Sequence, residues 1–203
     1  MNSEKLDIKK IKQFWQWFSE NCEKFGPEFE NSALLNELDD RITSLGDFTW
    51  EVGPGKTKSN ALVISPNGDI EQLGKTKEII RNAKECEEWE YFFAKPPKEW
   101  DLIFEFETAS GDLMQIDASG WDYVLLKYED GMFEIIVKAY SLRQLDEEDR
   151  QVIAEIVLDG VLGEEVRIQK ICAIEVVNEF SPQYQNKSSN IKNVANHLKN
   201  IVT

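Results

Sequence analysis

The amino-acid sequence predicts an α+β fold, a mainly antiparallel sheet with helices packed on it, preceded by an N-terminal helical pair. Three observations predict it. Near both ends of the chain apolar residues recur at spacings of three and four, the signature of amphipathic helices. In the middle, short runs alternate apolar and polar residues, the period of half-buried strands. The order strand, strand, helix, strand is read twice, over about 47–95 and 122–178, which makes a duplicated ββαβ unit a reading of the layout.

The N-terminal helices cover about residues 5–45. In the first, Ile8, Ile11, Trp15, Phe18, Cys22 and Phe25 form one apolar stripe, and Gly26-Pro27 stops it. Trp17 falls off that stripe. The second helix carries Leu34, Leu35, Leu38, Ile42 and Leu45 on one face, with Gly46 placed to end it. Phe48 to Val52 then reads as a strand, with Phe48, Trp50 and Val52 on one side. Gly53-Pro54-Gly55 opens a turn. Ala61 to Ser65 is a short apolar strand closed by Pro66-Asn67-Gly68. A helix over about 69–84 follows, carried by Leu73, Thr76, Ile80 and Ala83. Trp89 to Ala94 is an aromatic strand that Pro96-Pro97 stops.

Leu102 to Thr108 sets Leu102, Phe104 and Phe106 against Ile103, Glu105 and Glu107, and a turn near Ser110-Gly111 leads to a strand from Leu113 to Asp117. Tyr123 to Tyr128 and Met132 to Ala139 form a hairpin, because Glu129-Asp130-Gly131 is turn chemistry between two β-prone runs. In the next helix Ser141 and Gln144 read as a capping box. The acidic run Asp146 to Asp149 suits its first turn. Val152, Ile153, Ile156 and Val157 form its buried stripe, and Gly160 and Gly163 break it. Ile171 to Val177 is the last strand. The domain expectation is a single α+β domain over 1–180, a Ser-, Asn- and Gln-rich linker over 181–190, and a C-terminal amphipathic helix over 191–203 built on Ile191, Val194, Ala195, Leu198 and Ile201.

Composition narrows the function classes. A chain of 203 residues, 41% hydrophobic and 11% aromatic, carries enough apolar material for a large core. Such a chain buries roughly 70% of its unfolded surface. The net charge of −15 repels phosphate backbones and anionic membranes and attracts basic proteins. A basic protein is therefore the expected partner, with no nucleic acid and no membrane. The lysines at Lys9, Lys10 and Lys12 and those at Lys56 and Lys58 are too few to reverse that field. Cys22, Cys86 and Cys172 lie far apart without a C-x-x-C pair, which reads as reduced, buried thiols and not a disulfide framework or a zinc site. The start of the chain reads as no signal peptide, and no apolar run approaches the ~20 residues of a membrane span. A cytoplasmic protein is the expectation.

The chemistry-bearing motifs are few. Gly53-Pro54-Gly55-Lys56-Thr57 imitates the end of a phosphate-binding loop, but Trp50 stands where that motif needs glycine, and a strand follows in place of a helix. Gly74-Lys75-Thr76 fails as well. His197 is the only histidine and lies near the C-terminus, which disfavours serine, cysteine and most zinc hydrolase schemes. No catalytic residue, no metal ligand set and no cofactor is expected. Glu105 and Glu107 point to one side of their strand, with Asp112, Asp117 and Asp122 in or beside the following turns. Such carboxylates make a solvated sheet face, a site for Mg²⁺ or Ca²⁺, or an acid and base pair. Trp100 and Trp121 flank loops, where they either close the ends of the core or form a binding hot spot. The candidate partner-binding residues are Glu105, Glu107, Asp117 and Trp121.

Several strings stand out together: Phe14-Trp15-Gln16-Trp17-Phe18, Leu62-Val63-Ile64-Ser65-Pro66-Asn67-Gly68, Ala94-Lys95-Pro96-Pro97 and Leu158-Asp159-Gly160-Val161-Leu162-Gly163-Glu164. Over about residues 10–178 they resemble uncharacterised bacterial proteins of the conserved-hypothetical kind, an acidic α+β family with no assigned activity. The resemblance implies a bacterial cytoplasmic protein and transfers no catalytic residue. Some acidic proteins of this general kind are similar to immunity proteins that neutralise toxins. The expected function is a non-catalytic acidic protein-binding or regulatory module, immunity-like in kind. The alternative is a metal-dependent enzyme using a carboxylate cluster, and a third reading is an accessory domain without a site.

Overall fold

Six α-helices and nine strands form among the residues that the computed structural model describes, 6–26 and 28–202. The α+β class stands, but the strands make three small sheets in place of one. The chain divides into two compact units, Met1–Lys95 and Pro96–Thr203, where the sequence reading has one domain over 1–180. Each unit has its own buried apolar cluster. Alternation along a strand sets which face is buried and says nothing about which strands pair, so the number of sheets stays hidden in the sequence. Three expectations touch residues outside those described: a helix from Lys5, the stop at Pro27 and the end of the last helix at Thr203.

In the first unit, α1 (Ile8–Asn21) starts on Asp7, whose carboxylate accepts from the backbone N–H of Lys9 at 2.8 Å. Helix α2 (Ser32–Thr43) is capped by Asn31 in the same way. Strands β1 (Thr49–Pro54) and β2 (Asn60–Ser65) form an antiparallel hairpin, α3 (Ile70–Arg81) crosses over, and β3 (Trp89–Phe92) lies parallel to β2. Central β2 is buried along nearly its whole length, so it reads as a continuous apolar run. The core is aromatic. The Trp15 indole N–H donates to the Ile79 carbonyl at 2.7 Å, and that of Trp89 donates to the Cys22 carbonyl at 3.1 Å. Trp17 is a correction: it is buried against Phe14 and Phe25, with the Arg41 guanidinium 4.5 Å from its ring centroid. A helix buried over more than one stripe defeats a single-stripe reading.

In the second unit, β4 (Ile103–Glu107) and β5 (Leu113–Asp117) form a two-stranded antiparallel sheet. Strands β6 (Asp122–Lys127) and β7 (Phe133–Lys138) form the second hairpin, with Gly131 at φ +82° in the turn. Helices α4 (Glu147–Leu162) and α5 (Glu164–Lys170) lead to β8 (Ile171–Val177), parallel to β7. The first–second antiparallel and second–third parallel pairing of the N-terminal unit thus recurs here. The cap of α4 is Asp146, which accepts from Asp149 N–H at 2.9 Å, while Tyr140–Leu142 forms a separate 3-10 turn. The Ser141 capping box is therefore not used, and the acidic run serves the first turn as expected. Gly160 lies inside α4 and does not end it. Gly163, at φ +83°, does, and α5 beyond it is unforeseen. Residues 181–190 are not a bare spacer. They form turns and end in β9 (Ser189–Asn190), which pairs with β6. Phe180 before them is buried, with Tyr184 packed against the same cluster. Helix α6 (Val194–Val202) buries Val194 and Leu198 in the core of its unit. Among the described residues no helix is long and apolar enough to cross a membrane.

Candidate functional site

The β4–β5 hairpin sorts its residues by face. Phe104, Phe106, Met114 and Ile116 turn to the core of the unit, which leaves Ile103, Glu105 and Glu107 opposite Asp117, Gln115 and Leu113 on the outer face. Leu113 is 67% exposed, and Ile103 is exposed at the other end of the same face. The side chains of Glu105 and Glu107 make no hydrogen bond or ion pair with another described residue, and both are exposed. Asp117 shares the face but is engaged: it accepts from Ser119 N–H at 2.9 Å and from Ser119 Oγ at 2.6 Å. The Ser119 hydroxyl, then its N–H, and the Lys192 charge hold the Asp117 carboxyl below the usual range. The far turn is pinned by Asp149, which accepts from Ala109 N–H at 3.1 Å.

Trp121 does not join this face. It is 4% exposed and belongs to the core cluster with Leu102, Ala118 and Ile191. Its large ring fills the core, as apolar burial favours, so it offers no surface to a partner. The other loop tryptophan, Trp100, is half-buried over Gly160. Among the described residues no group of three or more His, Cys, Asp or Glu side chains is arranged to hold a metal ion. Glu105, Glu107 and Asp117 thus share a face without forming a ligand set. His197 is exposed on α6, its Nδ1 2.9 Å from the Tyr123 hydroxyl.

Sequence reasoning missed three other arrangements. In the N-terminal unit, Cys22 and Cys86 line one cavity of about 530 Å³ with Glu23, Glu85, Glu87 and Glu88. Both thiols are buried; Cys22 Sγ donates to the Ser19 carbonyl at 3.7 Å, and burial, with the Cys86 side chain adding to it, pushes the Cys22 thiol up to about 12. Cys172, expected buried, is exposed on β8. It lies in a strand whose middle positions face solvent.

The Gly53-Pro54-Gly55-Lys56-Thr57 loop turns between β1 and β2 and does cradle an anion, but the anion is the protein's own. The Glu90 carboxylate accepts from the backbone N–H of Lys56, from Thr57 N–H at 3.0 Å and from Thr57 Oγ1 at 2.7 Å. The Thr57 hydroxyl, helped by the loop amides, holds its carboxyl below the usual range. A Cβ on Gly55 would lie 2.4 Å from the Lys58 carbonyl oxygen, so only glycine permits this approach.

The third arrangement spans the break at Gly163. Arg167, whose side chain is 10% exposed, binds both carboxylate oxygens of buried Asp159, with the Glu155 carboxylate 3.9 Å away. Glu164 is buried beside them in sequence. Burial opposes the Arg167 charge, but the Asp159 hydrogen bond and the surrounding carboxylates outweigh it and push the guanidinium up. The ion pair joins α4 to α5 and accounts for the buried Asp159 of the Leu158 to Glu164 string.

The chain matches no family model, no curated protein and no solved structure.

Proposed function

We propose that the protein is a non-catalytic, acidic protein-binding or regulatory module that receives a basic protein on the outer face of the β4–β5 hairpin. One observation carries the reading: Glu105 and Glu107 stand unengaged on that face beside exposed Leu113 and Ile103. Apolar contact supplies affinity, and carboxylates around it select a cationic partner. The charge supports it too. The C-terminal unit holds 20 Asp and Glu against 10 Lys and Arg, a balance of −10, whereas the N-terminal unit holds 18 against 13, a balance of −5.

Size limits the contact. A five-residue strand spans about 17 Å and paired strands lie about 5 Å apart. The face alone falls well short of the ~800 Å² that a standard interface buries per partner. It suits a short basic segment, or the centre of a wider contact. An immunity-like role, an acidic protein blocking a basic toxin, is one member of this class. The quoted strings point to a bacterial, cytoplasmic setting, and the recurring pairing order in the two units supports a duplicated ββαβ unit.

The test is a pull-down from the native host at low and high salt, with the wild type beside a Glu105→Lys, Glu107→Lys double variant. The reading expects a protein held at low salt, released at high salt and lost from the double variant. Absence of any salt-sensitive protein partner, or equal capture by the double variant, overturns it.

A further inference from the structure

We propose that the groove between α1 and the last turn of α2 is a docking site for a short acidic segment of a partner protein, one that alternates carboxylates with large apolar side chains. The site lies in the N-terminal unit and is independent of the hairpin reading. The groove has a volume of about 730 Å³ and is open along one side. Its lining carries three cations, Lys9, Lys12 and Arg41, against one carboxylate, Glu20, which already accepts from the Gln16 amide. That inverts the balance of the whole unit, which holds 18 Asp and Glu against 13 Lys and Arg. The side chains of Lys9 and Lys12 are exposed and make no hydrogen bond or ion pair with another described residue. Apolar surface opens in the same groove, where Ile8 is 42% exposed. Arg41 is fixed in advance: its guanidinium lies 4.5 Å from the centroid of the Trp17 ring, and its Nε and Nη2 donate to Glu37 at 3.0 and 2.7 Å.

The lysines stand where their own helix disfavours them. A helix start carries partial positive charge and favours carboxylates. The first turn of α4 follows that rule with Glu147, Glu148 and Asp149, whereas α1 has no acidic residue in its first turn and sets Lys9 and Lys10 there. Lys10 Nζ has a partner within the fold, the Ser44 carbonyl at 3.3 Å. For Lys9 and Lys12 the described fold supplies none, and broken local rules of this kind gather at functional sites. Size and charge name the occupant. From Ile8 to Glu20 the helix rises about 18 Å, the span of five or six extended residues. Lys9 and Lys12 are three apart, with Cβ atoms about 5–6 Å from each other. Alternate side chains of an extended segment repeat at about 7 Å, so successive carboxylates reach both lysines while the residue between them turns to the other side. Gln13 is exposed without a side-chain hydrogen bond to another described residue, and its amide offers a donor and an acceptor to a peptide backbone. Charges farther off than about 8 Å are screened at physiological salt, so a short segment meets the groove and not the net charge of the unit. A nucleic acid or an anionic membrane extends past the groove and meets that net negative charge.

The test is fluorescence anisotropy of the full chain with a labelled peptide of alternating glutamate and leucine, about six residues long. Binding is expected, weakened roughly tenfold by Lys9→Glu with Lys12→Glu and severalfold by Ile8→Ser. Glutamate suits the first turn of a helix, so the charge-reversed chain should melt no lower than wild type, which separates lost binding from lost fold. Lys9→Gln with Lys12→Gln removes the charge without reversing it, should weaken binding severalfold, and carries the test if the reversal disturbs the fold. Amide chemical shifts should move on α1 and around Arg41. A Glu105→Lys, Glu107→Lys chain should bind the peptide at least as well as wild type, so the groove and the hairpin stand or fall separately. No binding, binding that both lysine pairs leave unchanged, or shifts confined to other surfaces would overturn the site. Tighter binding of a DNA single strand or of phosphatidylserine vesicles, lost in the same variants, would overturn the acidic segment as its occupant. So would sedimentation of the wild type as a dimer that the variants lose, which assigns the groove to a second copy of the chain.

Discussion

Gly160 lies inside α4, where alanine ordinarily strengthens a helix by about 1 kcal/mol. Here Gly160→Ala should weaken the C-terminal unit. A Cβ at this position would meet Trp100 at 2.4 Å from Cζ2, 2.7 Å from Cε2 and 3.0 Å from Nε1. Carbon atoms rest at about 3.5–4.0 Å, so the indole must retreat by about 1 Å or the helix must shift. The ring is a rigid plane packed on the core of its unit, with Phe104 5.6 Å away between centroids. Its chain is tethered as well, because Lys98 N–H donates to the Gly160 carbonyl at 2.8 Å. Overpacking of this kind costs about 1–3 kcal/mol, so the net loss is about 1 kcal/mol and at most about 2. In a Trp100→Ala background the obstacle is gone and the same change should stabilise by about 1 kcal/mol, a coupling of about 2 kcal/mol between the two sites. Amide hydrogen exchange over the last two turns of α4 reads this directly. Protection should fall about fivefold in the first background and rise by a similar factor in the second. If Gly160→Ala raises protection with Trp100 present, or both backgrounds respond alike, close approach is not what this glycine serves.

Two further perturbations follow from the other arrangements. Arg167→Met removes the guanidinium from buried Asp159 and should lower the stability of the C-terminal unit by about 3–5 kcal/mol in urea unfolding. Arg167→Lys should recover only part of it, since an ammonium does not span both oxygens, and a loss below about 1 kcal/mol for methionine would contradict the pairing. Glu90 has a folded-state pKa below its ordinary value. Its contribution to the N-terminal unit is therefore present above the unfolded pKa and lost as pH falls through the folded one. Glu90→Gln should abolish that part of the acid dependence, so the wild-type advantage shrinks with falling pH. An advantage that stays constant down to the acid limit would remove the loop contact as its cause.

What the sequence reveals, and what it hides, follows from the range of the interaction. The hairpin faces were legible because period-two alternation is local: Phe104 and Phe106 turn in, Glu105 and Glu107 out. Strand Ile171–Val177 was legible to its ends for the same reason. Helix α5 was not, because its seven residues are too short to show a helical period. The Asp159–Arg167 pair escaped because it bridges a break at Gly163, where helical spacing rules stop applying. Cys22 and Cys86 escaped for a stronger reason: no local pattern records that the end of α1 and the turn before β3 meet. Trp121 was placed on a loop by its neighbours and buried by its own apolar ring, a competition that local reading does not resolve.

These placements change what the acidity means. Of the carboxylates in the C-terminal unit, Asp146 caps α4, Asp149 holds the far turn of the hairpin, Asp159 and Glu164 are buried beside an arginine, and Asp117 and Asp112 are held in turns. Each of these is committed within the fold and is a poor handle for a partner. Glu105 and Glu107 are uncommitted, and they sit where apolar residues are also exposed. In the proposed reading the balance of −10, screened within about 8 Å at physiological salt, would govern how fast a basic partner arrives. The two free carboxylates and Leu113 would act at contact and govern how long that partner stays. A site defined by net charge alone would cover the whole unit, whereas uncommitted charge beside exposed apolar surface marks a much smaller area, of which the outer face of the β4–β5 hairpin is the proposed one.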